Sequence, residues 1–142
     1  MTDYPFGSFG PEHLKKIAPG IHAFNSQKYW ECHEELEDVW LEDRNDPARN
    51  VYWAIIQVAA SMVHFRENKL IGTEGMLNKA KNKFKRCRDQ EFILTDLVFD
   101  YLDWIELEDL VTSIGNTGTK LEDYQKIFDF RFKKYPYKKG QD

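Results

Sequence analysis

The sequence predicts an all-α fold, a single multi-helix bundle with two long central antiparallel helices and an extended C-terminal arm. Residues 51–65 are apolar almost all round, which is typical of a helix covered on several sides by its neighbours. Farther on, apolar residues recur at three or four positions from Met76 to Cys87, the spacing of an amphipathic helix. A chain of 142 residues with 15% aromatic residues can bury one core, so residues 1–142 are expected to form one domain.

The N-terminal part is predicted to contain an extended lead-in followed by short helical pieces. Residues 1–10 are rich in glycine, proline and aromatic residues, which favours an extended segment. Pro11 suits the first turn of a short helix, and Pro19 with Gly20 is expected to interrupt that helix. Residues 25–27 then predict a turn or cap.

The segment 29–43 is predicted to be an acidic helix that carries ionisable groups on its apolar face. At about 100° per residue, one face gathers these side chains: Tyr29, Trp30, His33, Leu36, Glu37, Trp40 and Leu41. His33 and Glu37 lie one turn apart in the middle of this face, so we expect them to be buried and to need partners. Cys32 is expected to project away from it.

The next helix is predicted to bring further polar groups to the same place. Gln57 and His64 lie two turns apart along one stripe of the otherwise apolar segment 51–65. If this helix runs antiparallel to the acidic one, His33 and Glu37 approach these two side chains. The expected result is a buried polar centre of histidine, glutamate and glutamine.

Caps and short elements are predicted around these helices. Asp46 before Pro47 is a good N-cap and first-turn pair, and Thr73 is expected to cap the helix that contains Met76. Residues 94–111 predict one or two short helices.

The C-terminal third is predicted to end in an extended arm. Residues 115–118 read as a loop. Phe128, Phe130 and Phe132 alternate with charged residues, a period of two, so we expect the arm to pack its phenylalanines on the helices. Residues 133–142 are predicted to be a flexible tail.

Composition narrows the functional classes. The formal net charge of -4 gives no global attraction to nucleic acid or anionic lipid. No basic start is followed by an apolar run, and polar residues interrupt the longest apolar segment, so neither export nor a membrane span is expected. The two cysteines, Cys32 and Cys87, have no CxxC spacing, which predicts neither a disulfide framework nor a zinc ribbon and favours a cytoplasmic location.

The run YWECHEELE at 29–37, followed by Trp40 and then by IIQVAA at 55–60 and His64, resembles the signature of domain-of-unknown-function family 309. The resemblance extends over about residues 24–84. It implies a small all-helical protein of bacteria or archaea whose biochemical activity is not established.

The first functional hypothesis is a non-catalytic domain that binds a small ligand or a protein partner at the polar centre. The residues expected to line that pocket are Trp30, His33, Glu34, Glu37, Trp40, Trp53, Gln57 and His64. A purely structural alternative is a satisfied hydrogen-bond network that fixes the register of the helices.

The second hypothesis is a metal-assisted or His-Glu general-base hydrolase that uses the same centre. Its catalytic candidates are His33, Glu37 and His64, and Glu34 joins them as a candidate ligand of a divalent metal such as manganese or iron. The HExxE run departs from the zincin motif because Glu37 stands where the second zinc-binding histidine would be. No metal is therefore asserted from the sequence.

The third hypothesis is binding of RNA or another anionic partner through the basic helix 79–88. No aromatic ladder accompanies these lysines and arginines, which disfavours nucleic acid. The acidic segment 31–43 could instead pair with the basic helix, within the chain or in a homodimer.

Overall fold

The computed structural model describes residues 4–115 and 119–136, and its regular elements are all helical, which confirms the predicted fold class. The α-helices within these residues are α1 (Pro11–Lys16), α2 (Ala18–Asn25), α3 (Tyr29–Glu42), α4 (Arg49–Arg66), α5 (Leu70–Asp89), α6 (Asp96–Tyr101), α7 (Trp104–Thr112) and α8 (Gln125–Phe128). Short 3₁₀ turns occupy Glu91–Ile93 and Leu121–Tyr124. None of the helices in this described part combines the length and the hydropathy needed to cross a bilayer.

Helix α4 forms the centre of the bundle, packed between α3 and α5. It is antiparallel to α3, because the rings of Trp40 and Trp53 approach within 5.0 Å at one end while the Arg66 guanidinium lies 5.5 Å from the Tyr29 ring at the other. Its most extensive contact is with α5. The apolar residues of 51–65 are therefore buried on more than one side, as the sequence predicts.

The interruption predicted between the first helices falls at Ile17 rather than at Pro19 and Gly20. Helix α2 begins at Ala18 and contains Pro19 in its first turn, where the missing N–H of proline costs no helical hydrogen bond. Gly20 lies inside α2 at the contact with α3, and a Cβ added there would lie 2.4 Å from Leu36 Cδ2. The lead-in also contains a turn, closed by Ser8 N–H donating to the Pro5 carbonyl at 3.0 Å.

Helix α5 begins before the predicted cap. Asn68 adopts φ 59° and reverses the chain after α4, so helical structure restarts at Leu70. Thr73 lies within the first turns of α5 rather than at its cap, and its hydroxyl donates to the Lys69 carbonyl at 2.7 Å. The pair of helices α6 and α7 confirms the prediction of short helices over 94–111.

The arm after α8 packs against α2. Asn25 holds Phe132 by both backbone groups, donating to its carbonyl at 3.2 Å and accepting its N–H at 2.8 Å. The Phe24 ring contacts those of Phe130 and Phe132. Tyr135 is buried as well, so the packed arm continues past residue 133, where a flexible tail was predicted. The predicted loop at 116–118 and the tail residues 137–142 lie outside the described residues.

Candidate functional site

The buried stripe of α3 differs from the predicted one by a rotation of the helix. Tyr29, Cys32 and Leu36 are buried, whereas Trp30 is 57% exposed and the Glu37 side chain is 49% exposed. Cys32 therefore points into the core, and the expectation that it projects away was wrong.

The neighbours of α3 explain this rotation. The helix packs against α2 as well as α4, and the Leu36 side chain fills the space left by the missing Cβ of Gly20. A side chain directed between two neighbours loses more water-accessible apolar area than one directed at a single neighbour, so Cys32 and Leu36 take the interior positions. His33 and Glu37 are consequently at the edge of the helix.

The His33–Glu37 pair is a loose, half-exposed contact. His33 Nε2 lies 3.7 Å from Glu37 Oε2, beyond hydrogen-bond distance, and the histidine side chain is 23% exposed. The Trp30 ring stacks on the imidazole at 5.3 Å with an interplanar angle of 7°. His33 Nδ1 is buried and has no hydrogen-bond partner among the described residues.

The polar residues of α4 do not join this pair. His64 is half-buried and lies against Gly72 of α5, where an added Cβ would come within 2.5 Å of its Nδ1. No hydrogen bond or ion pair within residues 4–115 and 119–136 links His33 or Glu37 to Gln57 or His64. The predicted buried, connected polar centre was therefore wrong: its members form the half-exposed surface of a groove.

Tryptophans mark the other end of the same groove. The rings of Trp40 and Trp53 lie 5.0 Å apart. Lys83 Nζ lies 3.6 Å from the centroid of the Trp53 ring, so α5 as well as α3 contacts this ring. The half-exposed stripe of α4 from Trp53 through Gln57 to His64 is thus the floor between two walls.

We define the α3–α5 face as this floor with its two walls. The α3 wall carries Trp30, His33, Glu34, Glu37 and Trp40, and the α5 wall carries Gly72, Met76, Lys79, Lys83 and Arg86. The α5 residues recur at helical spacing and fall on one side of that helix. The face therefore has carboxylates on its α3 wall, cations on its α5 wall and aromatic side chains on its α3 wall and its floor.

In the described part of the chain, three of the four buried side-chain nitrogen atoms without a hydrogen-bond partner lie on this face, and the fourth is Trp104 Nε1. His33 Nδ1, His64 Nδ1 and Trp40 Nε1 all lack a hydrogen-bond partner among the described residues. Buried polar atoms are normally satisfied, and those that are not call for a specific explanation.

The side chains that could act as nucleophiles or as metal ligands lie apart from one another or are buried. Across the described residues, no group of three or more His, Cys, Asp or Glu side chains converges as a metal site would. The Ser61 hydroxyl is buried and donates to the Thr73 carbonyl at 2.8 Å. Burial raises the pKa of the Cys32 thiol far above its usual range and that of Cys87 to about 12, which keeps both cysteines in the unreactive thiol form.

Sequence reasoning missed a cluster of cations at the end of the bundle where α4 begins and α5 ends. Arg44, Arg49 and Arg86 line one open cleft there, although they are far apart in the sequence. The available signal was the antiparallel packing of α4 and α5, which brings the first turn of one helix to the last turn of the other. Only Arg86 belongs to the basic helix 79–88 singled out from the sequence.

Sequence reasoning also missed a buried histidine at this end of the bundle, which links α1 to the turn before α4. His13 is buried, its Nδ1 accepts the Gly10 N–H at 2.8 Å, and its Nε2 lies 2.6 Å from Asp46 Oδ2. Asp46 Oδ1 also accepts the Ala48 N–H at 3.0 Å. Because α4 begins only at Arg49, Asp46 and Pro47 form the turn before the helix rather than its predicted N-cap and first turn.

Comparison with known proteins supports the family resemblance. Residues 17–76 match the model of the Domain of unknown function (DUF309), which confirms the resemblance found in the sequence. The chain is also 28% identical over 87 residues to the Uncharacterized protein YpuF of Bacillus subtilis (strain 168), over 61% of this chain and 47% of that protein. The chain thus spans about half the length of this relative. No solved structure matches.

Proposed function

We propose that this chain, whose residues 17–76 match DUF309, is a non-catalytic binding domain that docks a protein partner on its α3–α5 face. The observation that carries the proposal is the composition of that face. The face carries half-exposed aromatic rings, and it carries imidazole and indole nitrogen atoms that have no hydrogen-bond partner among the described residues. Its α3 wall is acidic and its α5 wall is basic. Aromatic residues surrounded by charged rims are typical of protein interfaces.

A second copy of the chain is the partner whose charges this face matches. Consider a two-fold axis that runs along the helices and relates two copies placed face to face. It puts the acidic α3 wall of each copy over the basic α5 wall of the other, so every contact occurs twice. Glu34 and Glu37 then face Lys79 and Lys83 of the other copy.

The size of the face sets the expected affinity. From Gly72 to Arg86 the α5 wall extends about 21 Å at 1.5 Å per residue. The axes of α3 and α5 are separated by about 20 Å, since each packs on α4 and packed helices lie 8–10 Å apart. The product of this width and the length of the α5 wall is below the ~800 Å² that each partner of a stable complex buries. We therefore expect a dissociation constant on the order of 10–100 µM.

A charge-swap experiment tests this proposal. One variant carries Glu34→Lys with Glu37→Lys, which makes both walls basic, and the other carries Lys79→Glu with Lys83→Glu, which makes both walls acidic. Sedimentation velocity at low ionic strength should show the wild-type chain as a concentration-dependent dimer and each variant alone as a monomer. An equimolar mixture of the two variants should form a heterodimer, because each basic wall then meets an acidic one.

The matched control is Glu31→Lys with Glu35→Lys, the same charge change on the opposite side of α3. It should leave the dimer within about twofold of the wild-type affinity. A wild-type chain that stays monomeric at every concentration, or a mixture that does not associate, would overturn the proposal. A control variant that dissociates as the Glu34/Glu37 variant does would overturn the assignment of the face.

A further inference from the structure

We propose that the cation cluster at the start of α4 and the end of α5 is a binding site for the phosphate group of a small phosphorylated molecule. An open cleft of about 250 Å³ lies there, lined by Arg44, Arg49, Arg86, Asn45, Asn50 and Gln90 among others. A neighbouring cleft of about 480 Å³ shares Asn50, Arg86 and Gln90 with it. The proposal does not rest on docking at the α3–α5 face.

The charges of the cleft favour an anion. Within the residues that the structure describes, the guanidinium groups of Arg44, Arg49 and Arg86 have no carboxylate partner. The Asp46 carboxylate at the cleft is already engaged by His13 and by the Ala48 N–H. An unneutralised arginine cluster is the arrangement that binds phosphate, because each guanidinium can donate two parallel hydrogen bonds to its oxygens.

Aromatic rings contact two of these three cations without neutralising them. The Arg49 guanidinium lies 4.2 Å from the centroid of the Trp40 ring, and its Nη1 donates to the Trp40 carbonyl at 3.1 Å. The Arg86 guanidinium lies 5.3 Å from the Trp53 ring. Arginine has five N–H donors, so Arg49 keeps donors for a ligand after its bond to Trp40. These contacts pre-organise Arg49 and Arg86, which reduces the entropy that these two side chains lose on binding.

The electrostatics of the neighbouring lysine agree with this arrangement. Burial, and then the positive charges of Arg86 and Lys79, lower the pKa of Lys83. Positive charge is therefore in excess beside the cleft. The adjoining Lys85 adds little to it, because its Nζ is paired with Asp89 at 2.8 Å.

Volume and neutral donors indicate which part of a ligand the site receives. The smaller cleft of about 250 Å³ lies below the ~300–1,000 Å³ of pockets that hold whole drug-sized molecules, so it fits a phosphate or pyrophosphate group. Amide side chains line both clefts, and the Asn50 amide donates to Gln90 Oε1 at 3.2 Å at their boundary. The larger cleft would receive the remainder of the molecule.

Isothermal titration calorimetry with inorganic pyrophosphate and with ATP, at low ionic strength, tests this site. We expect both to bind, and we expect Arg44→Ala and Arg86→Ala each to weaken binding about tenfold. Both side chains are exposed, so far-UV circular dichroism and the thermal midpoint should remain those of the wild-type chain. Lys126→Ala on α8 is the control for loss of one surface charge, with an expected change below about twofold.

The same titration with a single-stranded oligouridylate tests the second source of the ligand, because the backbone of RNA also carries phosphate groups. If the oligouridylate binds more tightly than ATP and also depends on Arg44 and Arg86, the phosphate site stands but the phosphate is that of RNA, and the small-molecule assignment is overturned. Absence of binding by pyrophosphate, ATP and oligouridylate overturns the site itself. Equal weakening by Lys126→Ala overturns it as well, because binding would then reflect overall charge.

Discussion

Two glycines of α5 provide the same substitution in opposite environments. A Cβ added at Gly72 would lie 2.5 Å from His64 Nδ1 and 2.7 Å from His64 Cγ, whereas one added at Gly75 would meet no atom within 4 Å. Both positions are helical and only three residues apart. Gly72→Ala and Gly75→Ala therefore separate the effect of the His64 contact from the effect of removing a helical glycine.

The expected magnitudes follow from these distances. Replacing a helical glycine by alanine stabilises a helix by up to about 1 kcal/mol, and at Gly75 nothing opposes that gain. At Gly72 the methyl group displaces the imidazole, and Cγ can move only if the side chain rotates about χ1. Overpacking of this kind costs about 1–3 kcal/mol, so Gly72→Ala should be less stable than Gly75→Ala by about that amount.

Thermal unfolding followed by circular dichroism measures this difference. For a domain of this size, 1 kcal/mol corresponds to about 3 °C, so the two midpoints should differ by about 3–10 °C. Adding His64→Ala removes the obstructing ring, and in that background Gly72→Ala should stabilise as Gly75→Ala does. A Gly72→Ala variant at least as stable as Gly75→Ala would refute the close packing of His64 on α5.

Further predictions concern the half-exposed carboxylate of Glu37, the buried hydroxyl of Tyr29 and the two thiols. Glu37→Gln should change the free energy of unfolding by less than about 0.5 kcal/mol in urea titration, since its carboxylate is 49% exposed and loosely paired; a loss above 1 kcal/mol would contradict this. Burial raises the pKa of Tyr29 to about 12, above that of an unfolded tyrosine, so its contribution to stability is complete below pH 10 and is lost as the pH rises toward 12. Midpoints measured across that range should fall less steeply for Tyr29→Phe than for the wild-type chain. Cys32 and Cys87 should react with a disulfide reagent at pH 8 only after denaturation, and rapid labelling of the native chain would show that the thiols are accessible.

Hydrophobic spacing was sufficient to predict the helices but not the orientation of α3. The stripe from Tyr29 to Leu41 and the stripe through Cys32 differ by a small rotation, and both contain large apolar residues. Which one is buried depends on α2, whose Gly20 receives Leu36. That contact joins residues from separate helices and has no signature in the periodicity of α3 alone.

Local chemistry predicted the C-terminal arm only in part. Phe130 and Phe132 are buried in an extended segment, as their alternation with charged residues predicted, whereas Phe128 is half-buried and is the last residue of α8. By contrast, the Arg44–Arg49–Arg86 cluster could not be found from any single segment. It exists because two antiparallel helices bring distant positions together, and only the pairing of α4 with α5 determines which positions these are.

The two proposed sites share a wall, and this makes their occupancies interdependent. Arg86 belongs both to the basic α5 wall and to the phosphate cleft, and the ring of Trp53 touches the cations of both. A phosphate bound at the cleft would neutralise part of the charge that attracts the acidic α3 wall of a second copy. Because coupling between two binding events is reciprocal, dimerisation would weaken phosphate binding by the same factor. Adding pyrophosphate should therefore raise the dimer dissociation constant by more than sodium chloride does at equal ionic strength, and Arg44→Ala should reduce that difference.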